Sequence, residues 1–111
     1  MIKSEKNVQT IRLMPEEVSI IKTAFLQNFL SGDQLWLFGS RVYLEKRGGD
    51  IDLYVETQMN DYTQATAAKR KFWRIMQDLL GEQKIDIVLN YSGSKILPIY
   101  AVAREEGRRL V

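Results

Sequence analysis

The sequence contains no cysteine and no histidine, and each absence excludes a class of chemistry. Without cysteine the chain can form no disulfide and no thiolate metal site. Without histidine it lacks the commonest general base, the catalytic triads that depend on one, and imidazole zinc sites. Any reaction of this chain must therefore use carboxylates, hydroxyls, amines, backbone groups and a hard cation.

Long apolar runs and a strong charge of one sign are also missing. No stretch approaches the roughly 18 apolar residues of a membrane span, and the opening MIKSEKNVQT has no apolar core of the kind that directs export. We therefore expect a cytoplasmic protein without membrane association. The formal net charge of +2 is too small to indicate nucleic-acid binding by itself. The length of 111 residues fits one domain, 1–111.

Helical and strand periodicities alternate along the chain. Pro15 suits the first position of a helix that Gly32 terminates, and Asp61 can cap a second helix that ends at Gly81. The predicted elements are a short extended piece at 8–13, helices at 15–30, 62–80 and from 94 or 95 to 106, and strands at 34–38, 51–56 and 84–90. The predicted core includes the helical stripe Ala65, Ala68, Phe72, Ile75, Met76 and Leu79, and the aromatic residues Trp36, Phe38 and Trp73.

The lengths of the connections predict how the strands pair. Nine residues separate Ser40 from Asp50, fewer than a parallel crossover needs, so the first two strands should be antiparallel. The second and third strands are joined through a helix, which favours a right-handed parallel crossover. We therefore expect an α+β fold with a small mixed three-stranded sheet, packed with about three helices on one side.

Three carboxylates should converge at one edge of this sheet. Asp50 and Asp52 open the second strand on the same face, because strand side chains alternate. Asp86 follows the start of the third strand, and an unpaired carboxylate buried in that apolar strand would be costly. Three carboxylates at one point repel unless a cation joins them, and Mg²⁺ suits such ligands. Two such ions about 4 Å apart can hold the attacking and leaving oxygens of a phosphoryl-type transfer.

The Gly-Ser turn after the first strand fits the same chemistry. Gly39 lets the backbone approach a ligand closely, and Ser40 offers a hydroxyl and an N–H to phosphate oxygens. Each feature also has a simpler interpretation. Asp-x-Asp alone is commonly a solvated strand edge, and Gly-Ser alone is a turn. The basic run Lys69-Arg70-Lys71, with Arg74, is usually a solvated helix face and otherwise a contact surface.

Three stretches, LFGSRVYLEKRGGDIDLYVE, KIDIVLN and LPIYAVAREEGRRLV, together resemble the minimal nucleotidyltransferases of the polymerase-β superfamily. The family pattern is Gly-Ser, a spacer, Asp-x-Asp and a third carboxylate on a later strand. Many members have ten spacer residues, with Arg-Gly after the Gly-Ser and Ser before Asp-x-Asp, where this chain has nine, Arg41-Val42 and Gly49.

The resemblance implies a palm-like fold and a role for each matching residue. Asp50, Asp52 and Asp86 would be the catalytic and metal-binding carboxylates, and Asp86 would help to activate the acceptor hydroxyl. The nucleotide-binding residues it implies are Gly39, Ser40 and Arg41, with Lys46 and Arg47 as further triphosphate contacts. The implied reaction uses two Mg²⁺ ions and ATP as substrate.

The resemblance also implies a biological setting. Stand-alone members commonly act as antitoxins, pair with a helical protein of the HEPN type, and move AMP from ATP to a hydroxyl on that partner. The alternative function is a non-catalytic module that neutralises its partner by contact. A regulator that contacts DNA is the least favoured hypothesis. The sequence is also compatible with a homo-oligomer. Candidate docking surfaces are Tyr54, Ile99, Tyr100, Val102 and the basic face of the second helix.

Overall fold

In the computed structural model, which describes residues 11–46 and 48–111, three helices flank one mixed sheet of four strands. The helices are α1 (Pro15–Asn28), α2 (Tyr62–Leu80) and α3 (Pro98–Glu106). The strands are β1 (Gln34–Phe38), β2 (Ile51–Thr57), β3 (Ile85–Tyr91) and β4 (Arg108–Arg109), and a 3₁₀ turn at Gly39–Val42 follows β1. The α+β class is therefore confirmed.

The sheet has the order β3-β2-β1-β4. Strands β1 and β2 are antiparallel, with Phe38 opposite Asp52, and β2 and β3 are parallel, with Asp52 level with Asp86. Both predicted pairings are confirmed. The prediction of three strands is one short, because β4 adds a two-residue antiparallel bridge to β1, with Trp36 opposite Arg109.

The two faces of the sheet belong to two apolar clusters. Leu53 and Val55 of β2 join the main core, where Phe25 of α1 meets Phe72 of α2 at a centroid distance of 5.7 Å. On the opposite face, a second cluster joins Trp36, Tyr54, Tyr100 and Ala103. The expectation of helices on one side is therefore wrong. Because α3 covers only part of the second face, the end of that face that carries the acidic residues remains open.

Local chemistry explains where the helices begin and end. Asp61 accepts a hydrogen bond from the Gln64 N–H at 3.1 Å and starts α2 at the predicted residue. Helix α1 ends two residues before the predicted position, and Asp33 accepts the Leu30 N–H at 2.8 Å in the turn that follows. Helix α3 starts only at Pro98, because a proline disfavours helical geometry in the residue before it.

Several predicted placements are wrong. Trp73 and Leu79 are 40% and 60% exposed rather than core, because the buried stripe of α2 is narrower than the predicted one. Tyr54 of β2 and Tyr100 of α3 are buried against each other, so neither can serve as a docking surface. Residues 8–10 of the predicted extended piece at 8–13 lie outside the described residues, and residues 11–13 form bends.

Within the described ranges, no helix combines the length and the apolar character needed to cross a bilayer.

Candidate metal centre

The three predicted carboxylates lie together on the open end of the second sheet face. Asp50 directly precedes β2, and Asp52 and Asp86 are paired across the parallel strands. One oxygen from each residue lies within 4.8 Å of the others. Asp50 and Asp52 are half-buried, whereas Asp86 is exposed, so the expectation of a buried Asp86 is wrong. Asp86 is therefore a candidate metal ligand because it converges with Asp50 and Asp52, and not because it is buried.

Partial burial and like charges together disfavour the ionised form of Asp52 in this cluster. Burial raises the pKa of Asp52 above its ordinary value, and the Asp86 and Asp50 carboxylates raise it further, while Lys84 lowers it. The Lys84 ammonium lies 3.7 Å from Asp50 Oδ2, and the side chains of Lys84 and Asp50 are 72% and 40% exposed. An exposed pair of this kind is weak, so one lysine does not neutralise three carboxylates.

The Gly39 backbone packs directly against the cluster. Its φ is +78°, and a Cβ at this position would lie 2.2 Å from Asp52 Oδ2. A side chain would therefore be disfavoured both by the left-handed backbone and by the carboxylate. This close approach places the turn that follows β1 directly beside the carboxylate site.

Ser40 is next to this contact, and a second glycine makes room for its hydroxyl. Gly49 has φ +91°, and a Cβ there would lie 2.3 Å from Ser40 Oγ. Gly49 thus has a steric reason in this chain, although it departs from the family pattern. The Ser40 hydroxyl makes no hydrogen bond to any residue in the described ranges, which leaves Oγ available to a ligand.

Arg12 holds both ends of the loop that joins the turn to β2. Its Nη2 donates to Gly48 O at 2.8 Å and to Ser40 O at 3.2 Å, and its Nε donates to Tyr43 O at 3.0 Å. Its backbone N–H donates to Arg41 O at 2.7 Å. Sequence reasoning missed this residue, because no local pattern relates Arg12 to carbonyls about thirty positions away.

The predicted nucleotide ligand Arg41 also makes contacts that support the loop. Its Nη1 donates to Arg12 O at 2.7 Å, and its Nε donates to Gly49 O at 3.3 Å. These bonds direct the Arg41 guanidinium toward protein carbonyls. Lys46 is exposed, with Nζ 5.6 Å from the Tyr43 ring centroid. Arg47 lies outside the described residues.

The donor set fits a hard divalent cation. The three carboxylates offer only oxygen ligands at an open edge, where water or phosphate oxygens can complete the shell. Their mutual repulsion, which contributes to the raised pKa of Asp52, would be relieved by a bound cation.

Comparison with known proteins finds no family model that matches this chain and no match among curated proteins.

Proposed function

We propose that this chain is a metal-dependent nucleotidyltransferase with a palm-like sheet, which moves AMP from ATP to an acceptor hydroxyl on a partner protein. The observation that carries the proposal is the convergence of Asp50, Asp52 and Asp86, with one oxygen of each within 4.8 Å of the others. The contact of Gly39 with Asp52 supports it, because it sets a glycine-serine turn beside the same carboxylates.

Asp50, Asp52 and Asp86 would hold two Mg²⁺ ions. When bound, these ions would neutralise charge on the triphosphate and lower the cost of bringing an acceptor oxygen to it. The Ser40 hydroxyl and backbone N–H would donate to triphosphate oxygens, and Arg12 would keep the turn in place. Positioning and charge stabilisation supply most of the rate in such a transfer.

In the proposed step, the acceptor hydroxyl oxygen forms a bond to the α-phosphorus of ATP. The bond from that phosphorus to the bridging oxygen of the β-phosphate breaks, and pyrophosphate leaves with the electron pair. The exposed Asp86 carboxylate is open to an incoming acceptor and would take the proton of its hydroxyl. An exposed carboxylate suits an acceptor carried by another molecule.

The role as the antitoxin of a toxin–antitoxin pair, with a helical HEPN-type partner, rests on the sequence resemblance alone. The carboxylate geometry favours catalysis over simple neutralisation by contact, because a module that only binds has no need of three mutually repelling carboxylates at one point.

Intact mass spectrometry tests the transfer. The protein is incubated with labelled ATP, Mg²⁺ and the product of the neighbouring gene, and we expect one AMP to be added to that product. Asp50→Asn and Asp52→Asn should abolish the addition, while Asp78→Asn, which changes an exposed carboxylate of α2, should not. Equal labelling by wild type and both site variants would exclude the carboxylates as the catalytic centre.

A further inference from the structure

A notch of about 360 Å³ lies between α2 and the outer edge of β3, directly beside the carboxylate site. Its lining residues are Lys69, Arg70, Trp73, Ile85, Asp86 and Ile87. Because Asp86 belongs both to this lining and to the carboxylate cluster, a molecule bound in the notch would lie next to the proposed metal centre.

Some backbone groups of β3 face this notch instead of the neighbouring strand. Among the described strands β3 is an outer one, and the Ile51 N–H donates to Lys84 O at 2.9 Å. Since the backbone groups of successive residues alternate between the two sides of a parallel strand, those of Lys84 and Asp86 face β2. Those of Ile85 and Ile87 consequently face outward.

Side chains already cover this edge on both sides of Ile87. Trp73 Nε1 donates to Ile85 O at 3.2 Å, and the Tyr100 hydroxyl donates to Leu89 O at 3.3 Å. Covering an edge strand in this way prevents indiscriminate pairing. The outward N–H and C=O of Ile87 have no such partner within the described ranges. The edge is therefore open to one residue of another chain rather than to a whole strand.

Two of the residues that line the notch, Lys69 and Arg70, are cations, and one, Asp86, is the carboxylate shared with the proposed metal centre. Lys69 and Arg70 form no ion pair with any residue that the structure describes. Trp73 is 40% exposed and adds a flat apolar wall. Two cations, an indole and a free strand position together match a peptide with acidic side chains, because a peptide backbone can both donate to and accept from Ile87.

We propose that this notch receives an extended acidic segment of the partner protein that carries the acceptor hydroxyl. One peptide residue exchanges two backbone hydrogen bonds with Ile87, and its acidic neighbours meet Lys69 and Arg70. The hydroxyl residue then reaches Asp86 across the strand edge. The role of this segment as acceptor rests on the proposed function, whereas its docking does not.

Trp73 itself reports on docking. The chain has two tryptophans, and Trp36 is buried, so a Trp36→Phe variant leaves Trp73 as the only indole. A twelve-residue peptide with one central serine and flanking glutamates is titrated in Mg²⁺ without nucleotide. We expect saturable quenching of Trp73 that weakens with added salt, and none with the same peptide carrying lysines. Anisotropy of the labelled peptide with the unaltered chain gives a second measurement that does not depend on that variant's fold.

Matched variants locate the contacts. The double substitution Lys69→Glu with Arg70→Glu should weaken binding of the acidic peptide by roughly tenfold or more. Lys22→Glu is the control, because Lys22 is an exposed lysine of α1 that does not line the notch. Methylating the backbone nitrogen of the central peptide residue should weaken binding as well, since it removes one of the two hydrogen bonds with Ile87.

Three outcomes of the binding experiments would overturn the proposal: equal binding of the acidic and basic peptides, no binding of either, or tighter binding of a six-nucleotide single-stranded RNA. Peptide binding without AMP transfer to any partner would support the notch as a docking site but would refute the proposed nucleotidyltransferase activity. AMP transfer to the partner at an unchanged KM in the double variant would refute the notch as the docking site but would support the nucleotidyltransferase activity.

Discussion

The α-carbon of Gly39 lies against the carboxylate of Asp52, so that a Cβ at position 39 would fall 2.2 Å from Oδ2. Gly39→Ala should therefore displace either the turn or the carboxylate. We expect a loss of about 1–3 kcal/mol in the free energy of unfolding, together with weaker Mg²⁺ binding, measured by urea unfolding and calorimetry.

Gly48→Ala is the matched control for this prediction. Gly48 also has a left-handed backbone, with φ +55°, but a Cβ there would meet nothing within 4 Å. Its substitution should cost about 1–2 kcal/mol through backbone strain alone and leave Mg²⁺ affinity unchanged. An equal loss of Mg²⁺ binding in the two variants would contradict the idea that the Gly39 contact shapes the site.

Asp52→Asn should stabilise the metal-free protein at neutral pH. Folding raises the pKa of Asp52 above its ordinary value of 3.8. At a pH between this ordinary pKa and the higher pKa of the folded state, the folded state binds more protons than the unfolded state. The free energy of unfolding therefore falls as pH rises through that window. We expect the variant to gain at most about 1 kcal/mol at pH 7, and the gain to vanish below the ordinary pKa.

Urea unfolding in EDTA, at neutral and strongly acidic pH, measures this difference. Added Mg²⁺ should reverse the order, because a cation that binds only the folded wild type stabilises it by mass action. A variant less stable than wild type at neutral pH without metal would show that burial and like charges do not make the ionised Asp52 unfavourable.

Arg12→Ala should loosen the loop from Ser40 to Gly48. Three carbonyls lose their guanidinium donors, and each hydrogen bond contributes about 0.5–1.5 kcal/mol. We expect lower stability and faster hydrogen exchange at the Tyr43 and Lys46 amides, which donate to Ser40 O and Tyr43 O within the loop. Arg12→Lys keeps the charge but not the forked geometry, so it should rescue little. Full rescue by lysine would mean that charge alone matters.

The fold could largely be predicted from the sequence, because its elements follow strong local rules. The Asp61 cap and the Gly81 stop signal defined the two ends of α2, and strand alternation placed Asp50 and Asp52 on one face. Loop lengths alone predicted the strand pairing that brings Asp86 to the same edge. These features depend on residues that are neighbours in the sequence or on the lengths of short connections, and both are visible in the sequence alone.

The features that could not be predicted from the sequence depend on contacts between residues far apart in the chain. The bridge Arg108–Arg109 is too short to show any period. The exposure of Trp73 depends on where the β3 edge lies, since its indole hydrogen-bonds to Ile85 O. The role of Arg12 depends on a loop brought to it only by folding.

Ser40→Ala should weaken nucleotide binding more than it affects the fold. Ser40 Oγ makes no hydrogen bond to a described residue, so its removal leaves no buried partner unsatisfied and should barely change the melting temperature. A hydrogen bond from this hydroxyl to a charged phosphate oxygen would be worth about 1.5–3 kcal/mol, which is about a tenfold to hundredfold loss of affinity. Calorimetry with a non-hydrolysable ATP analogue and Mg²⁺ measures it, and Ser92→Ala, at an exposed loop position, is the control. If both variants bind the analogue as wild type does, the Gly39–Ser40 segment is only a turn.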